Sequence, residues 1–207
     1  MRHETRDPDG RLVLLEVEPA GDADEREAAE AGLVLVREVL QLRRPLPAYP
    51  PPPLEVRAFR PGVDDEAFLE VNNRAFRWHP DQSGWTVEDL HRNEAEDWFD
   101  PEGFLLHERD GRLAGFCWTK VHPATDHDPA LGEIYVIATD PDFSGIGLGR
   151  ALTLTGLDHL ARRGLTVGML HVEGTNAVAR GLYDSLGFTL HSAHRWWGPE
   201  GTPPPVA

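Results

Sequence analysis

The chain is almost without lysine: Lys120 is the single one, and the other 19 of its 20 basic residues are arginine, against 35 acidic side chains. The net charge of −15 is spread along the chain, which excludes the basic stripe that binding to a phosphate backbone requires. No nucleic-acid partner is expected. With only one cysteine, Cys117, an internal disulfide is ruled out, and its place in the apolar run Leu113–Trp118 reads as a buried bystander rather than a nucleophile. No apolar run reaches the roughly 18 residues of a membrane span, and Met1–Gly10 has neither the apolar core nor the cleavage site of a secretory signal. A soluble, cytoplasmic chain without a membrane partner is therefore expected. Histidines and aspartates gather between His122 and Asp128, but without ligand spacing, so no metal is expected either.

What is present is an ordinary globular composition, 40% hydrophobic and 27% charged, with clear punctuation. Six prolines among the nine residues Pro45–Pro53 stiffen a linker (45–53) between a short N-terminal piece (1–44) and a longer one (54–198). A tail, 199–207, is expected to be disordered. In the longer piece Glu55–Phe59 alternates like a strand, while Asp64–Ala75 and Thr86–Asn93 have helical spacing, the second opening on a capping threonine. Gly103–His107 and Leu113–Val121 read as a hairpin across Arg109-Asp110-Gly111-Arg112, and Glu133–Thr139 is a β-branched strand. A glycine turn, Ser144–Gly149, leads into a helix from Arg150 to Arg163. The strand Thr166–Val172, the helix Asn176–Leu186 stopped by Gly187, and the strand Phe188–Trp197 complete the piece. This order predicts an α/β (α+β) domain whose central mixed, largely antiparallel sheet is flanked by helices.

The N-terminal piece reads as strand Leu12–Val17, helix Asp24–Ala31 and strand Leu33–Leu40. Its Leu15, Val17, Glu18, Gly32 and Leu35 recur as Leu170, Val172, Glu173, Gly187 and Leu190 at a constant offset of 155 residues. The piece thus reads as a partial repeat of the last three elements.

Three features carry chemistry. The turn Ser144-Gly145-Ile146-Gly147-Leu148-Gly149-Arg150 follows a strand and opens a helix, the order in which glycine amides and a helix N-terminus hold a phosphate. Glu133 opens the strand before it, where a carboxylate can take a proton from an ammonium nucleophile, directly or through a water. Asn176-Ala177-Val178-Ala179-Arg180-Gly181-Leu182-Tyr183-Asp184-Ser185-Leu186-Gly187-Phe188 is the third. Read singly, these are a plain turn, a strand-end acid and a helix with a core tyrosine.

Together they resemble the GCN5-related N-acetyltransferase superfamily, whose pyrophosphate loop ends Gly-x-Gly or Gly-x-Ala and whose other signature runs asparagine, alanine, Leu-Tyr, Gly-Phe. The resemblance implies acetyl-CoA as co-substrate. Its pyrophosphate would lie on Ser144, Gly145, Ile146, Gly147, Leu148, Gly149 and Arg150, its pantetheine and acetyl carbonyl on Ile137, Ala138 and Thr139, with Asn176 reaching it as well. Glu133 would be the general base, and Tyr183 the acid that protonates the departing thiolate. Ser144 stands where the family has glutamine or arginine, which implies a weaker hold on the co-substrate.

A narrower resemblance rests on Trp78-His79-Pro80-Asp81-Gln82, Trp98-Phe99-Asp100-Pro101, Trp118-Thr119-Lys120-Val121-His122-Pro123 and Gly132-Glu133-Ile134-Tyr135-Val136. These are similar to the catalytic second domain of the mycothiol synthase family, and Gln41-Leu42-Arg43-Arg44-Pro45 is similar to the end of that family's first domain. The implied reaction acetylates the cysteine amine of desacetylmycothiol in the last step of mycothiol biosynthesis, in an actinobacterial cytoplasm. Asp81, Lys120, Glu133 and His171 would face this acceptor, with Trp78, Trp85, Trp98 and Trp118 as core and pocket wall. Singly, Asp81 reads as a turn residue after Pro80 and His171 as a sheet residue. Two other readings stay open: an N-acetyltransferase for another small-molecule or protein amine, and a non-catalytic acyl-CoA-binding remnant. A monomer or weak dimer is expected, because a partial repeat leaves an apolar face to cover.

Overall fold

The computed structural model describes residues 1–79 and 81–205; Pro80, which falls in one of the motifs above, and the last two residues of the expected tail lie outside them. Among the described residues the order is β1 (Arg2–Arg6), β2 (Leu12–Val17), α1 (Asp22–Glu30), β3 (Val34–Pro45), β4 (Arg57–Ala58), α2 (Asp65–Ala75) and α3 (Val87–Glu94). It continues β5 (Phe104–Arg109), β6 (Arg112–His122), β7 (Leu131–Thr139), α4 (Leu148–Arg162), β8 (Val167–Glu173), α5 (Ala177–Ser185) and β9 (Thr189–Gly198). No helix among them is long and apolar enough to cross a membrane. The elements fall into two compact units, one formed by Met1–Arg43 with the chain from His171 on, the other by Arg44–Leu170.

In the unit Arg44–Leu170, β4, β5, β6 and β7 pair in that order, all antiparallel. The chain then crosses over through α4, and β8 returns parallel to β7, from Leu131 opposite Val167 to Ile134 opposite Leu170. That ladder ends at Ile134, while β7 runs on to Thr139. The strand expected over Glu55–Phe59 is only Arg57–Ala58, because the prolines before it supply no donors and β5 offers it just two partners. Helix α2 buries Phe68, Leu69 and Val71 in a core with Phe59, Phe104, Phe116 and Trp118. Phe104 stacks on Phe59 at 4.3 Å and on Trp118 at 4.4 Å between ring centroids. Helix α4 lies so close to β6 that a Cβ at Gly156 would fall on Cys117 Sγ, so only glycine fits there. Burial pushes the Cys117 thiol up to about 12, as befits a bystander.

In the other unit β1 and β2 form a hairpin, β2 pairs with β9, and β9 pairs with β3, all antiparallel. The first of these strands has no counterpart in the sequence expectation. Every residue of β1 is exposed, so it carries no apolar alternation; its signal was the turn, where Asp7 Oδ1 accepts from the amides of Asp9 (3.0 Å) and Arg11 (2.9 Å) and Gly10 takes φ +82°. Leu12, Leu15, Val17, Ala28 and Leu33 pack with Trp197 of β9, so the N-terminal apolar face is covered within the unit. Arg37, buried, pairs with Glu173 at 2.6 Å, lies 5.2 Å over the Trp196 ring and donates to the carbonyl of Pro205.

The offset of 155 residues reappears in the element bounds. Adding it to α1 (22–30) gives α5 (177–185), adding it to the start of β2 (12) gives that of β8 (167), and adding it to the start of β3 (34) gives that of β9 (189). The β3–β9 ladder obeys the same rule. Val39 faces His194, its own counterpart, and Val34 faces Gly198 as Arg43 faces Thr189. Even the irregularities correspond: Val36 bulges from β3 and His191 from β9, again 155 residues apart. A half-turn through Val39 and His194 therefore exchanges the ladder with itself.

Candidate active site

In the unit Arg44–Leu170 the site begins with an irregularity. Trp118 pairs with Val136 but Thr119 with Ile134, so Tyr135 is an extra residue in β7. Such a bulge bends a strand and re-aims the side chain it carries. Tyr135 here donates its hydroxyl to Asn93 Oδ1 at 2.9 Å and meets the Trp98 ring at 4.9 Å between centroids. Burial, with Glu133 and Glu96 adding negative charge nearby, raises the Tyr135 hydroxyl to about 12, so it stays a neutral donor. Lys120 sits opposite Glu133 across the β6–β7 ladder, its Nζ 4.2 Å from the Trp98 ring centroid and 5.1 Å from that of Tyr135. This places the Lys120 Nζ against two aromatic faces, whose quadrupoles attract a cation. Arg92, Asn93, Glu96, Trp98, Lys120 and Tyr135 line a cavity of about 240 Å³.

Glu133 is only 6% exposed. Its Oε2 lies 2.7 Å from His122 Nε2, and the His122 side chain is one-third exposed. Both residues stand in the strands that carry Lys120 and Tyr135, and period-two alternation puts Trp118, Lys120 and His122 on one face of β6. A buried carboxylate beside a cavity lined by an ammonium, a guanidinium, a carboxylate, an amide and a phenol is suited to bind a polyhydroxylated or cationic group and to move a proton at its edge.

The loop after β7 is set by Asp140, which is buried. Its Oδ1 accepts from the amide of Asp142 at 2.9 Å and its Oδ2 from Arg74 Nη1 at 2.8 Å. Ser144 Oγ donates to the Pro141 carbonyl at 2.9 Å. Gly145 and Gly147 have φ of +77° and +82°, and a Cβ at either would meet no atom within 4 Å. Glycine is therefore demanded by the backbone and leaves an open cradle. Helix α4 starts at Leu148, two residues earlier than expected, because Gly147 in the left-handed region serves as its N-cap. Its first intrahelical bond runs from Ala151 N to Gly147 O, so the amides of Leu148, Gly149 and Arg150 precede the ladder, and the first turn holds no acid.

Asp81 lies in a loop tied to α2: Asn72 Nδ2 donates to the Gln82 carbonyl (3.0 Å), and Asn73 exchanges bonds of 2.9 Å with the Trp85 backbone. Trp85 Nε1 donates to the Asp81 carbonyl at 3.0 Å. Of the tryptophans expected as core or wall, Trp118 is buried and Trp85 and Trp98 are packed against it, but Trp78 is 51% exposed beside His79, since it follows the end of α2 and points away from the sheet core. In the other unit Asn176 caps α5 through Oδ1, which accepts from Ala179 N at 3.1 Å. Tyr183, 7% exposed, meets Phe188 edge to face at 5.7 Å, and His171 is exposed with Nε2 3.2 Å from Gln41 Nε2.

The Acetyltransferase (GNAT) family model matches residues 66–188, which span the Glu133 strand, the glycine loop and the Tyr183 helix. The chain belongs to that family. Within it, the mycothiol acetyltransferase of Acidimicrobium ferrooxidans is 56% identical over 74% of this chain and 51% of its own length. That of Segniliparus rotundus is 45% identical over 88% of this chain and 76% of its own. The chain spans about half to two-thirds of the length of the first curated relatives it matches. The crystal structure of a GCN5-related N-acetyltransferase from Sphaerobacter thermophilus shares the fold, with a TM-score of 0.70 at 23% identity over 93% of this chain and 60% of that one.

Lys120 and Glu133 stand opposite one another across the β6–β7 ladder, and the structure adds neighbours that sequence reasoning missed: Arg92, Asn93 and Glu96 from the α3 region and Tyr135 from the bulge around Lys120, and His122 on Glu133. For His122 the signal was there, two residues beyond Lys120 on the same strand face. For the α3 residues nothing in their helical spacing points to a pocket in a GNAT domain, because the spacing reports only that Leu90 is buried.

Proposed function

We propose that the chain transfers the acetyl group of acetyl-CoA to the cysteine amine of desacetylmycothiol. The observation that carries this reading is the identity of 45–56% to mycothiol acetyltransferases over 74–88% of the chain. The local geometry supports it. The open left-handed glycines and the acid-free first turn of α4 suit a pyrophosphate on the amides from Ser144 to Arg150. The backbone of Ile137, Ala138 and Thr139, beyond the end of the β7–β8 ladder, suits the pantetheine and the acetyl carbonyl.

Glu133 takes a proton from the acceptor ammonium, and the freed amine attacks the thioester carbon. The tetrahedral oxyanion is held by β7 amides; as it collapses the C–S bond breaks, Tyr183 gives its proton to the thiolate, and the second proton shed by the nitrogen as it becomes the amide restores Tyr183 through water. Lys120 and Asp81 orient the acceptor's polar groups, with His171 and Asn176 as further contacts to acceptor and co-substrate. The matching element bounds and the self-exchanging β3–β9 ladder support a second part of the reading, that 1–44 is a partial repeat of the last strand-helix-strand. None of the residues named for catalysis lies in it.

The test incubates the purified protein with acetyl-CoA and desacetylmycothiol, beside simple amines and peptide N-termini, and follows acetyl-amide formation by mass. Turnover of desacetylmycothiol well above the others is expected. Equal turnover of generic amines would refute the acceptor, and no turnover of any amine despite co-substrate binding would refute the enzyme. Under saturating substrates, Glu133→Gln and Tyr183→Phe are expected to slow turnover by roughly 10² to 10⁴ while leaving acetyl-CoA affinity unchanged.

A further inference from the structure

Glu133 is buried, and a buried carboxylate that accepts a proton must pass it on before the next turnover. Among the described residues, His122 offers a route from that carboxylate towards solvent. Its Nε2 stands 2.7 Å from Glu133 Oε2, and its ring is one-third exposed where Glu133 is not. We propose that His122 is the positioning residue of the base: it fixes the Glu133 carboxylate and carries the proton from it to water.

This rests on Glu133 being the base and extends it by one step. The acceptor ammonium loses a proton to the Glu133 carboxylate, giving amine and carboxylic acid. The acid returns it to His122 Nε2, giving carboxylate and imidazolium. The imidazolium releases it to solvent, and no electrons change hands. The surroundings favour that direction. Lys120 stands opposite Glu133 across the ladder, and Tyr135, held protonated by burial, takes no part. On the other flank β8 sets the uncharged Met169 opposite Glu133. Glu96 and Arg92, one charge of each sign, line the cavity beyond Tyr135.

The test compares wild type, His122→Gln, His122→Ala and Glu133→Gln, each checked for folding by thermal melting and for acetyl-CoA Kd. Glutamine can keep a hydrogen bond to Glu133 but cannot carry a proton onward. Both His122 variants are expected to bind acetyl-CoA as wild type does and to lose kcat by roughly 10- to 100-fold, less than a group touching the substrate. Their kcat should then rise with imidazole concentration at constant pH and ionic strength, whereas wild type should not respond. Slow His122 variants without imidazole response would reduce His122 to a packing role and overturn the proposal. Wild-type kcat in His122→Gln beside a slow Glu133→Gln would overturn the relay and leave the base standing. A Glu133→Gln enzyme at wild-type rate would remove the base and the relay with it.

Discussion

Replacing Gly147 by alanine separates what the glycine loop does for the fold from what it does for a ligand. Gly147 is the N-cap of α4 at φ +82°, and a Cβ there would meet no protein atom within 4 Å. The cost to folding is therefore backbone strain alone, about 1–2 kcal/mol for an L-residue in the left-handed region. In a chain of this size each kcal/mol lowers Tm by roughly 2–4 °C, so a fall of about 2–8 °C is expected. The methyl group would stand in the open cradle, and if a pyrophosphate lies on these amides the acetyl-CoA Kd should rise by about 10-fold or more, equivalent to roughly 1.4 kcal/mol. Gly164→Ala is the control. Gly164 has φ +87° and equally open surroundings, but it follows the far end of α4, about 25 Å away along the helix axis. It should match the loss of Tm and leave Kd unchanged. Calorimetric titration and melting of both variants decide the matter. An unchanged Kd in Gly147→Ala would refute the pyrophosphate assignment, and an unchanged Tm in both would refute the strain argument.

Lys120→Met keeps an unbranched side chain of nearly the same length and removes the charge from the Trp98 and Tyr135 rings. The acceptor KM should rise roughly 10-fold or more with acetyl-CoA Kd unchanged, and equal loss of both would show that Lys120 serves the fold. At Asp64, burial works to raise the carboxyl, but hydrogen bonds from Arg57 and Arg60 outweigh it and hold the group well below the usual carboxylate range. Asp64→Asn should cost about 1–3 kcal/mol at pH 7, towards the lower end because Arg57 and Arg60 remain partly exposed and are not stranded. A carboxylate with a depressed folded pKa stabilises above its unfolded value, near 3.9, and loses that contribution as pH falls through the folded one. Denaturant melts of mutant and wild type should therefore differ at pH 7, and the gap should begin to narrow below about pH 4 and keep shrinking as pH falls towards the folded value; a gap that stays constant from pH 7 into that acid range would refute the ionic origin.

The sequence by itself determined the order of the long elements, because periodicity, a capping threonine and stop glycines are local signals that the backbone obeys wherever the segment lies. It determined the glycine loop, since Gly145 and Gly147 occupy conformations other residues avoid, and it determined the 155-residue offset that the bounds of α1 and α5 repeat. The tertiary structure alone decided the rest. Strand β1 is a charged edge with no apolar face, so only its hairpin partner makes it a strand. The bulge at Tyr135 is a mismatch between two strands and exists in neither one's sequence alone. The cavity wall comes from the α3 region, β6 and β7, elements far apart in the chain, and the His122–Glu133 contact spans a ladder whose register only pairing can set. Spacing along a chain reports which face of an element is buried; which faces meet depends on long-range pairing, and there the chemistry of Glu133 was assembled.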